Sequence, residues 1–160
     1  MTDLSPGDKA PDFDLATDGG GRAKLSDFAG GWLVLYFYPK DDTPGCTTEA
    51  IAFTDSGAAF AAAGAKVVGV SKDSPKSHDR FKAKHNLGFT LASDPEGEML
   101  ERYGVWVEKS LYGRKYMGID RATFLIGPDG AIRQVWRKVK VAGHAQAVLD
   151  ALKTDGASAK

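Results

Sequence analysis

Cys46 is the residue whose type and position could support covalent chemistry, and it is the only cysteine in the chain. It follows Thr43-Pro44-Gly45, in which Thr43 can cap a helix and Pro44 can occupy the first helical position. Cys46 then falls in the first turn, among free backbone N–H groups and at the positive end of the helix dipole. Both favour the nucleophilic thiolate, so we expect a reactive cysteine rather than a buried small hydrophobe.

A cation is needed near this cysteine, because Glu49 lies one turn later and would oppose formation of the thiolate. Arg121 is the candidate, since it directly precedes a predicted strand, and strands of one sheet can end at the same edge. From the residues alone, an ordinary surface arginine remains the alternative.

The spacing of Thr43 and Cys46 is that of a C-x-x-C redox motif with threonine in place of the first thiol. With one thiol, the chain cannot exchange disulfides as an ordinary oxidoreductase does. A lone thiolate can still attack a peroxide O–O bond and become a sulfenic acid, which another thiol can reduce.

Composition excludes several other classes of function. With 160 residues we expect one domain, 1–160, and the balance of 21 basic and 21 acidic residues argues against a nucleic-acid binder. One cysteine and three scattered histidines predict no intramolecular disulfide, no metal site and no cofactor. The N-terminus lacks the apolar core of a signal peptide, and the apolar run 32–38 is too short to cross a bilayer. We therefore expect a cytoplasmic protein that binds no membrane, with a flexible tail at 154–160.

The elements that must position Cys46 alternate between strands and helices. The apolar run 32–38, ended by Pro39, predicts a central strand buried on both faces. Strands are expected at 66–71 and 89–92, a hairpin at 122–126 and 131–137, helices at 43–63, 74–85, 94–103 and 142–153, and a glycine-rich loop around Gly113 and Gly118. This order predicts an α/β protein with a mixed central sheet flanked by helices, as in a thioredoxin-like fold.

The motif Pro39-xxx-Thr43-xx-Cys46 resembles the active-site signature of peroxiredoxins, and the chain is similar to their bacterioferritin comigratory protein, or PrxQ, subfamily. The similarity covers nearly the whole chain. It includes the downstream blocks 103–109, 112–113, 118–126 and 129–130.

The resemblance implies a role for each of four residues. Cys46 would be the peroxidatic nucleophile, Thr43 would hydrogen-bond the thiolate and orient the peroxide, and Pro39 would shield the thiolate from bulk water. Arg121 would favour the thiolate and stabilise charge that develops on the peroxide oxygens. The expected activity is thiol-dependent reduction of hydrogen peroxide and organic hydroperoxides, serving antioxidant defence and redox homeostasis.

One feature of the subfamily is missing. The two positions at which relatives carry a resolving cysteine are Ile51 and Lys82 in this chain. We therefore expect an external thiol (thioredoxin, glutaredoxin or glutathione) to reduce the sulfenic acid, in a monomer or weak homodimer. The alternative is a redox sensor or holdase that is oxidised without turnover. The aromatic residues Trp106, Tyr112 and Tyr116 could line the peroxide entrance or pack in a core or loop.

Overall fold

A seven-stranded mixed sheet forms the centre of the computed structural model, which describes residues 4–158. Its strands are β1 (Asp14–Thr17), β2 (Arg22–Lys24), β3 (Trp32–Phe37), β4 (Ala65–Ser71), β5 (Thr90–Ser93), β8 (Ala122–Ile126) and β9 (Ile132–Trp136). A separate two-stranded sheet pairs β6 (Trp106–Leu111) with β7 (Arg114–Ile119). The helices are α1 (Pro44–Asp55), α2 (Gly57–Ala62), α3 (Pro75–His85), α4 (Glu98–Arg102) and α5 (His144–Ser158).

The strand order is β2-β1-β5-β4-β3-β8-β9. Strands β3, β4 and β5 are parallel, because helices connect them, whereas β8 runs antiparallel to β3 and β9 antiparallel to β8. The predicted mixed sheet and the hairpin of β8 and β9 are thus present.

Strand β3 is central and all six of its residues are buried. Its alternate side chains enter two different cores. Tyr36 and its neighbours on that face pack with α1, α2, α3 and α5, whereas Phe37 and its neighbours pack with α4 and the N-terminal segment. The continuous apolar run is therefore explained by burial on both faces.

Two predicted helices differ from those observed. The helix expected at 43–63 divides into α1 and α2 at Ser56, just before Gly57, a residue that disfavours a helix interior. The helix expected at 94–103 is shorter and begins at Glu98, after Gly97 with its left-handed backbone (φ 76°). The Asp94 carboxylate, four residues before this start, accepts a hydrogen bond from the Leu100 N–H in the first turn of α4.

The glycine-rich loop expected around residues 113 and 118 is the hairpin of β6 and β7. Tyr112 and Gly113 form its tip with positive φ angles of 51° and 77°, as a tight two-residue turn requires. The strand predicted at 131–137 is one residue shorter at each end in the structure, where β9 runs from Ile132 to Trp136.

The final helix continues past the predicted start of the tail. Helix α5 runs to Ser158, and the Thr154 hydroxyl donates to the carbonyl of Asp150 one turn earlier. The tail was expected at 154–160, and its last two residues lie outside the described part of the chain. Within residues 4–158, no helix has the length and apolarity needed to cross a membrane.

Candidate active site

Cys46 lies in the first turn of α1, where the chain leaves the carboxyl end of β3. Thr43 has the extended backbone of an N-cap residue (φ −88°, ψ 155°), and Pro44 occupies the first position of the helix. The predicted location of the cysteine is confirmed. Its side chain is nearly inaccessible, since Cys46 is only 1% exposed.

Arg121 reaches Cys46 because of the register between two strands. Phe37, at the end of β3, pairs with Ala122, at the start of β8, so the residue before β8 lies at the same sheet edge as α1. The Arg121 Nη2 donates to Cys46 Sγ at 3.4 Å. A Cβ at Gly45 would lie 3.2 Å from the same nitrogen, so the glycine leaves room for the guanidinium.

The second branch of the guanidinium holds Glu49. Arg121 Nη1 lies 2.7 Å from Glu49 Oε1, and Glu49 is 1% exposed. Burial raises the pKa of Glu49 to about 7, although Arg121 acts to lower it. Burial acts to lower the pKa of Arg121, but the charges of Glu49 and Cys46 raise it overall. Arg121 is therefore the cation that we expected beside Glu49, and its guanidinium lies between the Glu49 carboxyl and the Cys46 sulfur.

Thr43 and Pro39 are close to Cys46 in the chain, but the Thr43 hydroxyl is hydrogen-bonded away from the sulfur. The Thr43 hydroxyl donates to the carbonyl of Lys40 at 3.0 Å, so its single proton is directed away from the sulfur. Pro39 lies exposed at the end of β3. A rotation of the Thr43 hydroxyl is needed before it can donate to a thiolate.

Two buried polar residues near this site were assigned no role in the chemistry from the sequence. The Tyr36 hydroxyl is buried without a hydrogen-bond partner, and burial followed by the charges of Glu49 and Cys46 raises its pKa. His144 lies 2.7 Å from the Thr123 hydroxyl, and burial, aided by the charge of Arg121, lowers its pKa to about 4. The sequence offered one signal for the contact with His144, because Thr123 is a polar residue in the otherwise apolar strand β8.

The three aromatic residues of the β6–β7 region lie in different environments. Tyr112 is 96% exposed at the tip of the hairpin. The six residues of β7, which span about 20 Å, separate this tip from the end of the hairpin that precedes Arg121. Tyr116 is also exposed, whereas Trp106 is half-buried with the Lys72 ammonium 4.5 Å above its ring. Of the three, Tyr112 therefore packs in no core and lies at an exposed loop tip.

The two positions that lack a resolving cysteine have ordinary structural environments. Ile51 is 38% exposed on α1, and the Lys82 ammonium lies 2.9 Å from Asp18. Neither residue carries a thiol that could reach Cys46.

Comparison with known proteins identifies the family. The model of the AhpC/TSA family matches residues 6–135. Peroxiredoxin Bcp of Bacillus subtilis is 52% identical over 147 residues, which cover 92% of this chain and 94% of that protein. Peroxiredoxin Bcp of Escherichia coli is 43% identical over 153 residues, covering 96% and 98% of the two chains.

Comparison with solved structures points to the same group of proteins. The bacterioferritin comigratory protein of Xanthomonas campestris, described for its alkyl peroxide reduction activity, has a TM-score of 0.86 at 51% identity and covers 90% of this chain and 92% of its own. A cysteine-to-serine mutant of Xylella fastidiosa PrxQ has a TM-score of 0.92 at 43% identity, covering 97% and 99%. Two further Xanthomonas structures replace two different cysteines, whereas this chain has one. The chain therefore has a thioredoxin-like fold, belongs to the AhpC/TSA family within its Bcp, or PrxQ, group of peroxiredoxins, and is a thiol-dependent peroxidase.

Proposed function

We propose that Cys46 is the nucleophile of this peroxidase and that an external thiol completes each turnover. The observation that carries the proposal is the position of Arg121, which joins the Cys46 sulfur to the buried Glu49 carboxylate at the start of α1. The guanidinium places a fixed positive charge next to the sulfur, in a site largely shielded from water.

In the first step the Cys46 thiolate attacks one peroxide oxygen. A sulfur–oxygen bond forms, the O–O bond breaks, and the other oxygen leaves as hydroxide or alkoxide and takes up a proton. Sulfur is oxidised to the sulfenic acid and the peroxide is reduced. Arg121 stabilises the charge that develops on the oxygens, while Glu49 holds the guanidinium in position.

Thr43 and Pro39 complete the proposed site. The Thr43 hydroxyl would turn from the Lys40 carbonyl to donate to the thiolate and orient the peroxide. Pro39, which follows β3, would shield the thiolate from bulk water.

In the second step an external thiol attacks the sulfenic sulfur, which gives a mixed disulfide and water, and a second thiol then releases Cys46. The sequence supports this proposal because Ile51 and Lys82 replace both candidate resolving cysteines. The donor classes are thioredoxin, glutaredoxin and glutathione. Hydrogen peroxide and organic hydroperoxides are the proposed substrates, in keeping with the alkyl peroxide activity described for the Xanthomonas relative. We place this activity in the cytoplasm, in a single-domain monomer or weak homodimer.

Mass spectrometry tests the two steps separately. One equivalent of hydrogen peroxide added to reduced protein should add one oxygen atom, which dimedone traps at Cys46, while the Cys46→Ser variant should remain unmodified. A disulfide-linked dimer as the main product would contradict reduction by an external thiol.

Turnover separates the enzyme from the alternative redox sensor or holdase. With each thiol donor supplied in turn, the protein should consume many equivalents of hydrogen peroxide or of an organic hydroperoxide. Consumption that stops at one equivalent with every donor would favour the sensor.

A further inference from the structure

A buried polar cluster lies beside the loop that carries the chain from β3 into α1. Asp41, in that loop, is 8% exposed, and its carboxylate accepts hydrogen bonds from the Tyr38 hydroxyl at 2.6 Å and the Ser77 hydroxyl at 2.8 Å. The same carboxylate lies 2.8 Å from Nδ1 of His78, which is fully buried in α3. Nothing in the peroxide step uses these groups.

His78 joins the loop to the sheet. Its Nε2 lies 3.0 Å from the Ala92 carbonyl on β5, and since a carbonyl only accepts, Nε2 carries a proton. Its Nδ1 lies within hydrogen-bond distance of the Asp41 carboxylate, so the ring bridges the loop and β5. The backbone N–H of Asp41 also donates to Asp73, at 2.8 Å.

The next residue of the loop is held by the same helix. Asp42 contacts the Lys84 ammonium at 2.7 Å and the His85 ring at 2.8 Å. His78 and His85 are seven residues apart, so they lie on one face of α3, two turns from each other. We call these contacts of Asp41 and Asp42 with α3 the loop clamp.

The clamp has a consequence for access to Cys46. The sulfur is buried, and an incoming thiolate must approach it opposite the departing hydroxide. A thiol, whether on a protein or on a small molecule, cannot do so while the loop and the first turn of α1 stay in place around the buried sulfur. The loop must therefore hold its position for the peroxide step and move for the thiol step.

We propose that His78 is a positioning residue that acts through Asp41 and sets the balance between these two states of the loop. The proposal rests on the proposed external-thiol mechanism. An intact clamp favours the closed loop, in which Thr43, Cys46 and Arg121 are aligned for peroxide. A weakened clamp favours the open loop, in which a thiol reaches the sulfur.

The test measures the two half-reactions separately in the full chain. Stopped-flow competition gives the rate of Cys46 oxidation by hydrogen peroxide. The absorbance loss of thionitrobenzoate, a coloured thiolate, gives the rate of its reaction with the sulfenic acid. In His78→Phe we expect oxidation to slow about tenfold and the thiol reaction to speed up about threefold, because the loop population moves toward the open state.

Four further variants separate positioning from stability. Asp41→Ala should behave as His78→Phe, whereas Asp41→Asn, which keeps an acceptor for Tyr38 and a donor for His78, should restore both rates to within about threefold of the wild type. Ile132→Ala destabilises the opposite core through a fully buried residue and should not change the ratio of the two rates. If His78→Phe does not fold, Asp42→Asn at the exposed half of the clamp should shift both rates in the same directions by about twofold.

Hydrogen exchange gives a readout that does not depend on activity. The Thr47 amide, bonded to the Thr43 carbonyl in the first turn of α1, should exchange faster in His78→Phe than in the wild type. Unchanged exchange, or two half-reactions slowed by the same factor, would overturn the clamp. A wild-type protein that hydrogen peroxide does not oxidise at Cys46 would instead overturn the proposed function.

Discussion

Arg121 joins Cys46 to Glu49, and replacing it with methionine removes both contacts while keeping much of the side-chain volume. The Nη2–Sγ contact of 3.4 Å is a hydrogen bond to a charged group in a shielded site. Such bonds contribute about 1.5–3 kcal/mol, which corresponds to a loss of about 10–150-fold in the rate of peroxide reduction.

The same substitution should lower stability in a way that depends on pH. The pKa of Glu49 is raised to about 7 even with Arg121 beside it, so without the cation it rises further. Above pH 7 the folded variant then binds a proton that the wild type and the unfolded chain do not. Its free energy of unfolding should therefore fall, relative to the wild type, by about 1.4 kcal/mol for each pH unit above 7, until the new pKa is reached.

Two assays check this pair of effects. Competition for hydrogen peroxide gives the rate, and urea unfolding at pH 6, 7 and 8 gives the stability. Arg22→Met is the matched control, because Arg22 forms an exposed ion pair with Asp14 at 2.9 Å and should change the stability by less than about 1 kcal/mol, and the rate not at all. A rate for Arg121→Met within threefold of wild type would refute the role of Arg121 at the sulfur. A stability loss that is equal at pH 6 and pH 8 would refute the account of Glu49.

Two buried titrating groups predict opposing effects of pH on stability. Burial holds the folded pKa of Glu49 at about 7, above its usual 4.5, so its contribution to stability is lost as pH rises from 4.5 to 7. Burial holds the folded pKa of His144 at about 4, below its usual 6.5, so its contribution is lost as pH falls from 6.5 to 4. Urea unfolding across this range should thus show stability rising with pH in Glu49→Gln and falling with pH in His144→Gln, each by at most about 3 kcal/mol once solvent screening is allowed for. Parallel profiles in the two variants would contradict both assignments. Gly69→Ala should cost about 1–3 kcal/mol, because its Cβ would lie 2.9 Å from the buried Tyr36 ring, while Gly57→Ala, with open space at its Cβ, should not destabilise. Equal unfolding midpoints for the two alanine variants would show that the ring yields freely.

Local sequence signals predicted the part of the site that lies within one stretch of chain. Pro39 ends a strand, Thr43 and Pro44 start a helix, and these neighbours alone place Cys46 in its first turn. The hairpin of β6 and β7 was missed because its glycine was interpreted as a loop signal, although Tyr112-Gly113 is a two-residue turn between two six-residue strands.

By itself, the sequence predicted that Cys46 is the reacting group, because this depends on residue types and on spacing within a few positions. The single cysteine also predicted that a second thiol comes from outside the chain. The sequence also indicated that Glu49 needs a cation. Only the tertiary structure decided that Arg121 supplies it, since the contact joins residues 72 positions apart. The same holds for Asp41 and His78, which are 37 positions apart. Such contacts depend on strand register and helix packing, and so does the burial that shifts the pKa of Glu49.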